Sequence, residues 1–498
     1  MLNDSSKVES WDIFRLARFG FYLCAVLFMS CGAPLTLVIH WRLRWGSMSV
    51  IFFWIPSCTG RYSPLIHRAP SYRGWRSLSL SQPVSAPCKT RQIRFMLRIL
   101  HIIHSIDPRS GGPSHALRGL VQEQVRRGHQ VSILTTNAQS AEPWMPDDQF
   151  RERMNSDPAF SGAELFIARG YGRTRPVARF TWTPQAYRWL RRRLADPDAR
   201  PDIVHIHGVF SHLTTFAPRL ARRFGVPYIM RPAGTFAPRC MALGRTAMKR
   251  WFTTLFVAKD LRLAAAVQAT TPAEENELRE QFGLNNVVVI PHGVAAANDA
   301  PTDAAAARRA LNIPERAKVL LYLSRLTPKK RPDWIIQAAS QLLSEYPDLF
   351  TIFAGPDAGA ESQLAAAIAS SRLNGQVKRF GFVTGEQKRQ LFEAADVLVL
   401  PSQSENFGVV VVEAMAHGLP VVVTPGVASH IYVDASGCGL TVDDSVDALT
   451  DGIRKILQAD KTELGRRGRE YVRQHLTWQA VADQLELVYC KVAQCRKV

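Results

Sequence analysis

The chain of 498 residues is too long for one ordinary core, so at least two domains are expected, and 46% hydrophobic with 21% charged residues is the make-up of a soluble globular enzyme. A net charge of +20 calls for an anionic partner, but residues 1–95 hold only +9 of it (12 Lys+Arg against 3 Asp+Glu); the spread excludes a nucleic-acid stripe. The eight cysteines are scattered without a Cys-x-x-Cys pair, so neither a zinc site nor a disulfide framework is indicated, and a reduced cytoplasmic compartment is the default expectation.

The first 95 residues differ from the rest. Phe19 to Ile39 is an apolar run long enough to span a bilayer, interrupted by Gly32 and Pro34. Arg15 and Arg18 precede it and Arg42 and Arg44 follow, so charge gives no orientation. Residues 59–94 are rich in Ser, Pro and Arg without a period, as in a linker. Either this region is a single-pass anchor with its linker, or it is an extension the working protein does not need; the reading taken is a dispensable extension with the functional start at Met96.

From Met96 the pattern is that of alternating strands and helices. Leu97 to Ile103 reads as a buried parallel strand, and a loop containing Gly111-Gly112 leads to an amphipathic helix from His115 to Gly128. Neither glycine carries a Cβ, so this backbone can approach a phosphate closely, although an ordinary strand-to-helix turn reads the same way. Val131 to Thr135 is the next strand. A later strand, 202–207, carries His205 and His207 on one face; His207 ends it beside Gly208, at the edge where open α/β sheets bind ligands, while His205 lies one pleat deeper and packs. After the strand at Tyr228, Arg231, Arg239, Arg245, Lys249 and Arg250 with Trp251 and Phe252 read as a basic amphipathic stretch suited either to solvent or to an anionic acceptor or membrane surface. Strands at 267–271 and 287–290 close this first domain, 96–290.

In the second domain, 291–474, Lys318 to Leu323 is a strand, and the loop after it holds Arg325 and Lys330, a guanidinium and an ammonium placed to neutralise a diphosphate from two sides. Strands at 350–355 and 377–380 follow. Then Val397 to Thr424 shows an apolar run, a polar loop, a helix-length piece and a second apolar run, the layout of a βαβ unit. Val409 to Val412 favour a strand by propensity, but Gly418 and Pro420 punctuate the end of a helix. Glu405 falls in the loop and Glu413 about one turn into that helix, where carboxylates can accept from sugar hydroxyls while helix N-terminal amides favour a phosphate. Helices at 446–458, 462–474 and 478–493 complete the chain.

The string Glu405-Asn-Phe-Gly-x4-Glu-Ala-Met-Ala-x-Gly-x-Pro-Val421 resembles the Glu-x7-Glu signature of the retaining GT-B glycosyltransferases of family 4, and Ser324-Arg-Leu-x-x-x-Lys-Arg331 resembles that family's Gly-Arg-Leu-x-x-x-Lys-Gly element with both glycines replaced. The resemblance implies two Rossmann-like β/α/β domains facing a cleft, a start near Met96, a hinge at 291–294, and a last segment, 475–498, that packs back on the first domain. It implies that Gly111 and Gly112 face the donor, that Gly381 to Thr384 flank the nucleobase, and that His207 faces the transferred sugar. Arg325 and Lys330 would hold the diphosphate, Glu413 the ribose, and Glu405 with Asn406, Phe407 and Gly408 the hexose. The expected activity is a retaining hexosyltransferase drawing on a UDP- or GDP-hexose, without metal or other cofactor, and passing the sugar to a glycan or lipid-linked acceptor of cell-surface polysaccharide synthesis at the inner membrane face.

Other chemistries lack their signatures. His-Glu-x-x-His, Gly-x-Ser-x-Gly and Walker A strings are absent, and Asp196-Pro-Asp198 reads as turn punctuation before a strand. An epimerase or sugar phosphorylase could share the two-domain architecture. A non-catalytic sugar-nucleotide-binding protein is disfavoured by the intact Glu, Arg and Lys set.

Overall fold

The computed structural model describes residues 96–494 except 111, 140–144, 172–181, 238–240, 242–245, 297–302 and 374. The apolar run at 19–39, Gly111, Arg239 and Arg245 lie outside the described residues. Among the described residues no helix is long and apolar enough to cross a membrane.

Among the described residues thirteen strands form two sheets. The first contains β1 (Arg98–Ile103), β2 (Gln130–Thr136), β3 (Glu164–Ala168), β4 (Ile203–His207), β5 (Tyr228–Arg231), β6 (Ala266–Ala269) and β7 (Val287–Val289) in the order β3-β2-β1-β4-β5-β6-β7. The second contains β8 (Lys318–Leu323), β9 (Leu349–Ala354), β10 (Val377–Phe380), β11 (Val397–Leu400), β12 (Val421–Val423) and β13 (Gly439–Thr441) in the order β10-β9-β8-β11-β12-β13. All pairings within the sheets are parallel. Parallel neighbours need long crossovers, which the helices supply, and strands covered on both faces read as continuous apolar runs. Every residue of β4, β11 and β12 is buried accordingly.

In both sheets the strand order reverses direction next to the first strand, between β1 and β4 and again between β8 and β11. Loops leave such a switch point in opposite directions and open a crevice at the carboxyl ends of the strands. His207 ends β4, and the segments holding Arg325 with Lys330 and Glu405 follow β8 and β11.

The run Val409 to Val412 is helical, in the helix Val409–Ala416. Joining β11 to a parallel β12 requires a crossover, and burying Val411, Val412 and Met415 outweighs the few tenths of a kcal/mol per residue by which valine disfavours a helix. The first-domain helix starts earlier than its periodicity suggests, spanning Gly112–Arg126. Gly112 is therefore helical, not a loop residue, and a Cβ there would meet open space.

The linker after β7 and the segment before the final helix pair with each other: Val294 and Thr477 form a parallel bridge, with Val294 N donating to Leu476 O and Trp478 N to Val294 O. The final helix, Trp478–Gln494, then lies on the first domain, where Val481, Leu485 and Tyr489 share a core with Ile99, Ile203 and Ile229.

Candidate active site

The loop after β8 tightens into a 3-10 turn at Pro328–Lys330, and Arg331 takes a left-handed φ of 49° before the next helix. That is the conformation a glycine would adopt freely, and Arg331 holds it while its guanidinium pairs with Asp444 and lies over Trp334. The turn buries Lys330, whose ammonium donates to Ser324 Oγ and sits 2.8 Å from Glu405 Oε1. Burial lowers the proton affinity of Lys330, and the Glu405 carboxylate opposes that shift. Arg325 is exposed at the same mouth and has no ion-pair partner among the described residues.

Glu405 is held by its backbone, N to Gly426 O at 2.8 Å and its carbonyl accepting from Ala428 N. Asn406 reaches across to the first domain, donating from Nδ2 to Thr270 Oγ1 at 3.1 Å, and packs on Gly234, whose missing side chain leaves the room for it. Thr270 donates in turn to the buried Glu274, which also accepts from Gly234 N. Phe407 is buried against the His292 ring, centroids 4.8 Å apart. Gly408 caps the helix Val409–Ala416 at φ 81° with no side-chain hydrogen bond, so no side chain competes for the amides of the first turn. Glu413, one turn on, is paired with Lys388 Nζ at 2.6 Å. Both line a cavity of about 140 Å³ with Val294, Ala295, Phe392 and His417, and His417 stacks on Phe392. From the first domain, His115 feels the charges of Lys388 and Glu413 and has its proton affinity lowered, chiefly by burial.

Across the cleft His207 is buried. Its Nε2 lies 3.0 Å from His101 Nδ1, and its Nδ1 has no hydrogen-bond partner among the described residues. His101 Nε2 meets Gln124 Oε1 at 2.7 Å; His205 stacks on His207 at 4.3 Å and meets Tyr489 Oη at 2.7 Å. Burial, reinforced by the neighbouring imidazoles and Arg231, holds His207 neutral well below its ordinary range.

The sequence family described as "Glycosyl transferases group 1" matches residues 303–475, and the "Glycosyl transferase 4-like domain" matches residues 111–293. A D-inositol 3-phosphate glycosyltransferase of Geodermatophilus obscurus is 31% identical over 325 residues, covering 61% of this chain and 70% of the relative. This chain belongs to the group 1 glycosyltransferases. A relative of the same name from Kineococcus radiotolerans is 32% identical over 250 residues, and there the match spans 46% of this chain and 57% of the relative's length. Two solved structures share the two-lobed GT-B fold: Anabaena HepE in complex with UDP and glucose (TM-score 0.60, 18% identity, 79% of this chain and 100% of that one) and sucrose-phosphate synthase from Thermosynechococcus elongatus (TM-score 0.61, 22% identity, 80% and 99%).

Within this group 1 glycosyltransferase the fold brings together Lys330 and Glu405, which are distant in sequence. It sets Glu413 against Lys388 rather than leaving it open, and places Arg325 at the rim. One expectation is corrected: Arg231 does not belong to a surface basic stretch. It ends β5, is buried, and contacts the His292 ring at 2.9 Å. Its place as the last residue of a buried parallel strand was the available signal. Lys388, His101 and Gln124 went unnoticed because nothing in their local sequence separates them from ordinary strand and helix residues. Asp196 and Asp198 lie in a turn in which Asp196 Oδ1 accepts from Asp198 N.

Proposed function

We propose that the protein is a retaining hexosyltransferase that takes a sugar from a UDP- or GDP-hexose and passes it to a glycan or lipid-linked acceptor of cell-surface polysaccharide synthesis. The observation that carries this reading is the Lys330–Glu405 pair at the switch point of the second sheet, with the helix start at Gly408 and Glu413 just beyond it. A diphosphate seated there would meet Lys330, the Arg325 guanidinium and free helix amides; a ribose would meet Glu413 and a hexose Glu405 with the Asn406-Phe407-Gly408 segment. HepE, named as a complex with UDP and glucose, supports a nucleotide-sugar donor. The inositol-phosphate relatives support an anionic, hydroxylated acceptor.

In the reaction the bond from C1 to the phosphate oxygen breaks, and the acceptor oxygen attacks from the same face. The acceptor proton passes to the departing phosphate, whose developing charge Arg325 and Lys330 stabilise more than they do the ground state. No residue is required as a covalent nucleophile, and the roles described call for neither metal nor cofactor. Peripheral contact with an anionic membrane face is part of the proposal: Trp251, Leu255 and Leu263 are exposed near Arg250, Lys259 and Arg262, and each basic residue near such a surface contributes about 1 kcal/mol.

The test is turnover of the purified full chain against a panel of nucleotide sugars with and without EDTA. One donor consumed only when acceptor is present, in EDTA as well as without it, is the expected result. Donor turnover without acceptor would favour an epimerase, dependence on inorganic phosphate a phosphorylase, and a strict need for divalent ions would overturn the metal-free path.

A further inference from the structure

We propose that Gln124 and His101 are positioning residues that fix the tautomer of His207, so that its bare Nδ1 accepts a hydrogen bond from a hydroxyl of the transferred sugar. The inference rests on the reading that His207 faces that sugar.

The argument starts at Gln124, on the helix Gly112–Arg126. Its Nε2 lies 3.5 Å from the hydroxyl of Tyr489 on the final helix, and an amide nitrogen can only donate. This turns Oε1 toward His101 Nε2 at 2.7 Å, and a carbonyl oxygen can only accept. The proton of His101 is therefore on Nε2. His101 is buried and its pKa is lowered to about 4, so at neutral pH it carries one proton and its Nδ1 is a lone pair. That lone pair faces His207 Nε2 at 3.0 Å. Two lone pairs at this distance repel, so the proton of His207 is on Nε2. What remains is His207 Nδ1, unprotonated, out of water and without a partner among the described residues, at the carboxyl edge of β4. A desolvated acceptor is satisfied by a donor, which a sugar hydroxyl supplies and a phosphate oxygen does not.

A divalent ion is the rival occupant. His101, His205 and His207 each bring a nitrogen within 4.8 Å of the others. Arg231, however, pairs in register with His207 on β5 and lowers the proton affinity of all three imidazoles. The field that repels a proton repels a metal cation more strongly, and the cluster has no carboxylate or thiolate to offset it.

The experiment is long-range proton–nitrogen correlation NMR on the full chain with nitrogen-15 histidine, read alongside kinetics with the donor found by the panel. The expected spectrum has His207 and His101 both protonated on Nε2. Gln124→Leu removes the acceptor and should give His207 a detectable Nδ1-protonated fraction with kcat/KM down at least tenfold. If Gln124→Leu fails to fold, Tyr489→Phe, which frees the amide to turn, should shift the tautomer in the same direction. A wild-type His207 protonated on Nδ1, unchanged tautomers in the variants, or stoichiometric zinc in the purified protein would overturn the relay. An intact relay with wild-type turnover in His207→Ala would overturn the sugar contact alone, leaving the donor site as proposed.

Discussion

Lys330 and Glu405, on the loops that follow β8 and β11, form an ion pair with Nζ 2.8 Å from Oε1, the ammonium buried and the carboxylate partly so. The pair joins the two loops of the second switch point, so the lysine proposed to meet a diphosphate also holds the carboxylate proposed to meet the hexose. Removing Glu405 leaves the Lys330 ammonium buried and uncompensated, and removing Lys330 leaves a carboxylate only partly open to water.

Lys330→Met should therefore cost both turnover and folding, on the order of 1.5–3 kcal/mol in a urea titration because the remaining carboxylate keeps partial access to water. Arg325→Ala, at an exposed position, should stay within about 0.5 kcal/mol of wild type while lowering kcat by about 100-fold. A wild-type kcat for Arg325→Ala would reduce that loop to a solvated turn.

Glu413→Ala should weaken donor binding about ten- to a hundredfold, since a hydrogen bond to a charged acceptor contributes about 1.5–3 kcal/mol. Titration calorimetry with the donor checks it, and an unchanged Kd would remove Glu413 from the ribose. The variant also releases Lys388 from its 2.6 Å partner, so Lys388→Met is the control for charge alone.

Stability should fall on mild acidification. The buried imidazoles of His101, His205, His207 and His292 have folded-state pKa values below the ordinary 6.5, that of His101 at about 4, so the unfolded chain binds more protons across that interval. Their contribution is fully present above about pH 6.5 and is lost as pH falls toward 4, with about 3 kcal/mol from His101 alone. Denaturant titrations from pH 8 to 4 would show the slope, and His101→Gln should flatten it.

Gly119→Leu should loosen the seat of the final helix. Gly119 and Gly293 leave room for the Trp478 ring, which occupies the space a Cβ at either position would need. Overpacking typically costs 1–3 kcal/mol. Hydrogen exchange should show faster opening of 478–494 with the second sheet unaffected; equal exchange throughout would count against this packing.

Much of the fold was legible because parallel strands buried on both faces write themselves as short apolar runs, as in Val397 to Leu400 and Val421 to Val423, and because Gly418 and Pro420 end a helix even through four consecutive valines. The polar helices between strands, such as Pro184–Ala195 and Gly385–Ala394, carry weaker local signals, and the edge strand Glu164–Ala168 is half exposed and so lacks the apolar run that marks its neighbours.

By itself the sequence determined the alternation of strands and helices, tied Glu405, Glu413, Arg325 and Lys330 to strand ends by local spacing and punctuation, and carried the two-lobed class through the resemblance of its motifs. Only the tertiary structure decided their partners. Lys330 meets Glu405 across 75 residues, Glu413 meets Lys388, and Asn406 meets Thr270 across the cleft; Arg231 leaves the surface for the buried carboxyl end of the first sheet. Such pairings depend on which strands become neighbours at a switch point and on how much burial each loop imposes, and neither is a property of any local stretch of chain.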